Sequence, residues 1–282
     1  MTKLNEKIEL GVMNTLRVNR LTEPGIYLEA LDEEVVLLPN AYIRSDMEIG
    51  SLVDVFIYTD SEDRLVATTL KPYAMKNEYA CLEVVDTTRF GAFVDIGLPK
   101  DLLVPINRQT STYNVGARKV LRVIEDEKTQ RLIATEKFTQ FLSKDIVGLE
   151  KNDEVMILLF SKTPLGYKVI VNNLYEGMIF HTEIFENANI GDLKKAYIKN
   201  IRDDSKLDLS LQKIGQKKSG DNSEKILEVL NKNNGKINFT YKSEAEDIMK
   251  VFAMSKKAFK AALTQLISKE KIKIEDNYIQ VK

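Results

Sequence analysis

The chain has one cysteine, Cys81, and one histidine, His181. A lone thiol cannot close an internal disulfide, and these two residues cannot form a multi-ligand zinc site without help from carboxylates. The carboxylates do not supply it. They are spread over short polar stretches such as 32–34, 125–127 and 203–204, the kind of segment in which hairpin tips hold solvated charge. Metal-dependent nucleases need clustered acids, and nucleophilic hydrolases need a Ser or Cys with an adjacent base. Neither pattern is present. No GxxxxGK loop occurs, and no GxGxxG follows a strand, so nucleotide hydrolysis and dinucleotide binding lack their phosphate cradles. The expectation is a protein with no catalytic residues, no metal and no cofactor, whose chemistry is recognition.

The elements that would carry such recognition follow from length and pattern. At roughly 100–200 residues per domain, 282 residues predict two or three domains. A content of 44% hydrophobic and 29% charged residues is that of a globular chain. No apolar run approaches the roughly 18 residues of a membrane span, and the opening MTKLNEKIEL has no apolar signal core. A cytoplasmic protein without a membrane partner is expected. Its 41 basic and 42 acidic residues nearly cancel, but unevenly. Residues 1–76 carry 8 basic against 13 acidic side chains, and residues 219–282 carry 12 against 9. The basic half, where phosphate contacts would be sought, is C-terminal.

A repeat organises the first 214 residues. EPGIYLEA, RFGAFVDI and PLGYKVIV place Gly25, Gly91 and Gly166 at one offset. Fourteen residues after each Gly, a short apolar run reaches Pro39, Pro105 and Phe180. Twenty-five residues after each Gly stands another glycine: Gly50, Gly116 and Gly191. Each unit ends with a polar turn and a last apolar stretch. Read by period, each unit has about five short strands. About 65 residues leave no room for two packed sheets, so one coiled sheet closed on itself is the economical solution, and it also hides its edges. The leading Gly fits a sharp bend at which a Cβ would obstruct the neighbouring backbone.

The middle unit, FGAFVDIG then LLVPIN then VGARKVLRVIEDEKTQRLIATE, resembles the RNA-binding domain repeated in ribosomal protein S1, an OB-fold barrel. With the C-terminal region described below, the chain resembles the conserved virulence factor B family of tandem S1-like domains plus a winged helix. The resemblance implies a mainly β protein with a C-terminal α+β domain: three tandem five-stranded OB-fold barrels at 1–73, 74–146 and 147–214, a linker at 215–222, and a winged-helix domain at 223–282. Such barrels bind single strands by stacking bases on aromatic rings while cations follow the backbone. The resemblance places Phe90 and Phe93 on the outer face of the middle barrel as platforms. It puts Arg131 near the backbone path, Arg89 and Arg122 as supplements, and Asp126 at the adjacent turn. Pro105 stands where the family often has a histidine. In the first unit Tyr27 keeps one platform and Arg64 the later arginine. In the third, Lys168 takes the platform offset, and Lys199, Arg202 and Lys206 add charge. Phe180 and His181 stand at and after the Pro105 position. Tyr167 is kept as a candidate, although alternation along a strand would turn it toward the core.

After a polar, Gly-containing stretch, SEKILEVLNKN (223–233) has a helical apolar face with Ser223 as a possible N-cap. A second helix is expected over 243–252. A third opens at Ser255, with Phe259, Leu263, Leu266 and Ile267 as its stripe and Lys256, Lys257 and Lys260 beside it. The tail IKIEDNYIQV reads as a hairpin. This order resembles a winged helix, whose third helix often enters a nucleic-acid groove, with Lys256, Lys257, Lys260 and Tyr278 as contacts. The reading is an RNA-binding protein that takes single-stranded RNA, with duplex nucleic acid a further partner at the winged helix, and a post-transcriptional regulatory role. The alternatives are a DNA-binding transcription regulator and a protein-interaction scaffold.

Overall fold

The computed structural model describes residues 3–184, 187–212 and 219–282. The first unit comprises β1 (Met13–Thr22), β2 (Gly25–Glu29), β3 (Val35–Pro39), β4 (Leu52–Thr59) and β5 (Leu65–Thr68), closed into a barrel in the order β1-β2-β3-β5-β4. The middle unit repeats it with β6 (Tyr79–Thr88), β7 (Gly91–Val94), β8 (Leu102–Pro105), β9 (Arg118–Glu125) and β10 (Leu132–Thr135). The third comprises β11 (Glu154–Thr163), β12 (Gly166–Val171), β13 (Tyr175–Phe180), β14 (Leu193–Ile201) and β15 (Leu207–Ser210), again closed. The middle sheet runs β10-β9-β6-β7-β8 without a β8–β10 pairing, so this barrel is nearly closed.

The repeat spacing is a register. Gly25 pairs with Pro39, Gly91 with Pro105 and Gly166 with Phe180 across the second and third strands, which accounts for the fourteen-residue interval. A Cβ on these glycines would lie 2.1, 2.2 and 2.0 Å from the carbonyl oxygens of Leu38, Val104 and Ile179, closer than any side chain permits. The twenty-five-residue interval has an equally local cause. The N–H groups of Gly50, Gly116 and Gly191 donate to the carbonyls of Val18, Val84 and Leu159, each at 2.8 Å. Those three residues open a bulge in the first strand of each unit, at Val18/Arg20, Val84/Asp86 and Leu159/Ser161. A threonine three residues before each leading Gly completes the pattern, with the hydroxyls of Thr22, Thr88 and Thr163 donating to the carbonyls of Gly25, Gly91 and Gly166.

The barrels are joined by apolar contact. Phe56, Tyr58 and Val66 of the first barrel belong to the core cluster of the middle one. Tyr79, Val120, Phe138 and Leu142 pack with Leu158 and Ile170 of the third. A buried-face loop in the middle barrel is pinned by Glu136, which accepts from the Thr110 N–H at 2.6 Å and the Ser111 hydroxyl at 2.8 Å. Burial alone would raise its pKa, but these donors and Lys119 hold the carboxyl below its ordinary 4.5. A carboxylate depressed in the folded state contributes stability above its unfolded pKa and loses it as pH falls through the folded value. Thermal unfolding followed from pH 6 down to below pH 4 should therefore show a steeper acid-side loss for the native protein than for Glu136→Gln. Parallel curves would exclude the role.

The C-terminal domain has its own core. It comprises α1 (Ser219–Lys232), β16 (Lys236–Ile237), α2 (Ala245–Phe252), α3 (Lys256–Ser268) and the hairpin β17 (Ile272–Ile274) and β18 (Ile279–Val281), with a strand order of β16-β18-β17. Three helices and this small sheet form a winged helix. Ser255 caps α3, accepting from the Ala258 N–H at 3.2 Å. Two expectations are corrected. Ser223 is no N-cap: α1 begins at Ser219, within the stretch expected to link, and Ser223 is buried with its hydroxyl 3.2 Å from Gln265 Oε1. Residues 215–218 of that stretch lie outside the described residues. Ile267 is exposed, because the buried face of α3 is Phe259, Ala262, Leu263 and Leu266. No helix among the described residues is long and apolar enough to cross a membrane.

Candidate nucleic-acid interface

The leading glycine of the middle barrel turns the chain so that Phe90 stands at the tip between β6 and β7, 65% exposed. The Arg89 guanidinium lies over its ring, 4.8 Å from the centroid. Among the described residues Arg89 has no carboxylate partner. Phe93, three residues on, pairs with Leu103 of β8 and is half-buried on the outer wall of the barrel, away from the core. A second ring-and-cation pair sits on the first barrel. There β1 places Arg20 opposite Tyr27 of β2, and the guanidinium lies 4.2 Å from the half-buried tyrosine ring. The sequence reading missed Arg20. The bulge at Val18/Arg20 sets this cross-strand partner, and nothing in the residue order marks it. Pro105 lies at the end of β8, opposite Gly91, and offers neither an aromatic ring nor a donor.

Other candidates are already engaged. Arg131 is paired with Asp63 in the β4–β5 turn of the first barrel. Arg64, in that same turn, is held by Asp60 at 2.7 Å and Glu62 at 2.9 Å. Arg122 donates to the Tyr79 hydroxyl at 2.5 Å and lies 4.8 Å from the centroids of both Tyr79 and Phe141. It thus lies between two rings, one of which, Tyr79, packs at the junction with the third barrel. Asp126 shapes the β9–β10 turn, accepting from the Thr129 N–H at 3.1 Å and hydroxyl at 2.8 Å.

In the third barrel the four candidate cations are all paired. Lys168 and Lys206 share Glu176 at 3.7 and 3.8 Å, Lys199 meets Glu183 at 2.5 Å, and Arg202 meets Asp208 at 2.5 Å. Exposed pairs of this kind contribute little to stability, but each lowers the charge a phosphate would meet. Tyr167 is corrected from platform to core: it is 8% exposed, and its hydroxyl donates to the Ala188 carbonyl at 2.9 Å. Phe180 is half-buried with Arg202 5.7 Å from its ring centroid, and His181 is exposed, its Nε2 3.2 Å from the Thr163 carbonyl oxygen.

On the winged helix, Lys257 and Lys260 are exposed and Lys256 is half-buried. None of the three has a carboxylate partner among the described residues. Tyr278, in the wing, is half-buried beneath Lys236, whose Nζ lies 3.6 Å from the ring centroid. Among the described residues no group of three or more His, Cys, Asp or Glu is arranged to hold a metal ion. Among the described residues the first two barrels thus offer rings beside arginines that no carboxylate pairs, and the winged helix offers lysines that none pairs.

Comparison with known proteins bears on these surfaces. The S1 domain family matches residues 10–70, and the CvfB-like winged helix domain family matches residues 224–281. The chain is 30% identical to the Bacillus subtilis protein YitL, over 97% of this chain and 94% of that one. It is 26% identical to conserved virulence factor B of Staphylococcus saprophyticus, over 98% of this chain and 95% of the relative. A solved structure from Streptococcus pneumoniae, described as a multidomain protein with nucleic acid binding domains, aligns over 97% of this chain and 98% of that one, with a TM-score of 0.44 and 23% identity.

Proposed function

The chain belongs to the conserved virulence factor B family, whose S1 and winged-helix domains make it a nucleic-acid-binding protein, and we propose that its ligand is single-stranded RNA and its role post-transcriptional control in the cytoplasm. The observation that carries this reading is Phe90: a large ring left open to water at a barrel tip, with an arginine against it that no carboxylate among the described residues pairs. A ring so placed adds nothing to a core. It offers a π-face that any base can stack on, and the cation beside it suits the adjoining phosphate. Phe93 extends the platform along β7, and Tyr27 with Arg20 repeats it on the first barrel. Weak sites in series on one chain raise affinity through effective concentration.

The third barrel, whose candidate cations are paired with carboxylates, acts in this reading as a spacer. Lys256, Lys257 and Lys260, which no carboxylate among the described residues pairs, favour a second contact at the winged helix, where duplex segments of a folded RNA would fit.

The test is fluorescence anisotropy of the full chain with labelled oligo-U across a salt series, with unlabelled duplex DNA as competitor. Affinity should fall with a log–log slope of roughly −0.7 per phosphate contact, and duplex DNA should compete poorly. Displacement by duplex DNA at matched nucleotide concentration would favour a DNA-binding regulator. No binding at low salt would favour a protein scaffold.

A further inference from the structure

The first and third barrels close by parallel pairing of their third and fifth strands, at Leu37–Val66 and at Gly177–Leu207 through Ile179–Leu209. By repeat position the middle barrel should close between Leu103, twelve residues after Gly91 as Leu37 is after Gly25, and Ile133, two before Thr135 as Val66 is before Thr68. It does not. A cavity of about 210 Å³ opens at that seam, walled by Phe93, Ile96, Leu103 and Ile133 and, from the first barrel, by Tyr58 and Thr59. Its volume is small beside the roughly 300–1,000 Å³ of sites that enclose drug-sized ligands.

The chemistry of this slot is specific. Its walls are apolar and partly aromatic, suited to the face of a flat ring. Its seam lacks the strand pairing of the other two barrels, although β8 and β10 still lie as close together there as β3 and β5 do. Its charged lining is two cations, Lys100 and Arg131, and one carboxylate, Asp101, and both cations are held by the first barrel. Asp63 pairs with Arg131 and lies 3.7 Å from Lys100 Nζ, which also donates to the Asp60 carbonyl at 2.6 Å. An anionic oxygen thus already sits where a phosphate oxygen would.

We propose that this slot, built jointly by the first two barrels, receives one nucleobase of the bound single strand, with Lys100 and Arg131 exchanging Asp63 for the adjoining phosphate. The inference rests on the RNA reading above and adds to it a composite base site that neither barrel forms alone.

Photo-crosslinking of the full chain to an oligo-U carrying 5-iodouridine tests it. The tryptic peptide 45–64 of the first barrel, which contains Tyr58, should be modified along with peptide 90–100, which contains both phenylalanines. Leu103→Trp, which fills the slot, should abolish the first crosslink and weaken oligo-U binding about fivefold or more. Asp63→Asn should strengthen binding, up to about fivefold. The slot is overturned if Leu103→Trp binds within a factor of two of the unaltered chain, or if Asp63→Asn weakens binding. Should Leu103→Trp lower the unfolding temperature, the unaltered chain decides: peptide 45–64 unmodified while 90–100 is modified removes the slot and leaves the platform. Failure of the unaltered chain to bind oligo-U at all overturns both.

Discussion

Replacing Phe90 and Phe93 together by alanine should cost roughly 1–3 kcal/mol for each base that loses its platform, a factor of about 5 to 150 per base in affinity. The effect should be separable from folding at Phe90. Its ring is 65% exposed and belongs to no core cluster, so Phe90→Ala alone should leave the unfolding temperature unchanged while weakening oligo-U binding. Phe93 is half-buried against the seam, and its removal should lower stability modestly. Phe90→Tyr keeps the π-face and should bind nearly as the unaltered protein does. Anisotropy with oligo-U measures all four proteins. A double variant that binds within a factor of two of the parent would remove the platform from the account.

A larger effect on stability is expected at Gly91. Alanine there would place a Cβ 2.2 Å from the Val104 carbonyl oxygen at a φ of +155°. Neither atom can yield, since the carbonyl is main chain inside a paired strand. Backbone strain and overpacking each cost about 1–3 kcal/mol, so Gly91→Ala should lose about 2–6 kcal/mol. Gly116 in the same barrel is the comparison. It has a φ of +83°, but a Cβ there would meet nothing within 4 Å, so Gly116→Ala should lose only the left-handed penalty of roughly 1–2 kcal/mol. Urea midpoints of the two variants test the contrast. Equal losses would mean that the close strand approach is not what requires glycine at position 91.

Much of the architecture is legible in the order of residues. The two glycine intervals correspond to hydrogen bonds and strand pairs a few ångströms long. Each joins residues within one unit, so the spacing in the chain is the spacing in the sheet. The apolar stripe of α3 and the alternation of β17 and β18 are equally local. Bulge positions, the threonine hydroxyls before each leading Gly and the two-residue β16 escape such a reading, because each depends on which strand lies alongside rather than on residue type.

The site was less open to inference. Residue type identified Phe90, Phe93, Arg131, Lys168 and Arg202 as groups able to stack or carry charge, and the strand period separated Tyr167 from Lys168. Which of those cations are free depends on folding. Arg131 meets a carboxylate 68 positions away on a different barrel, and Lys168 meets Glu176 only because β12 and β13 pair. The seam of the middle barrel likewise exists because two strands that pair in its sister units do not pair there. Backbone conformation follows short-range sterics and so is written residue by residue along the chain. Charge pairing and cavities follow distance through space, which packing alone sets.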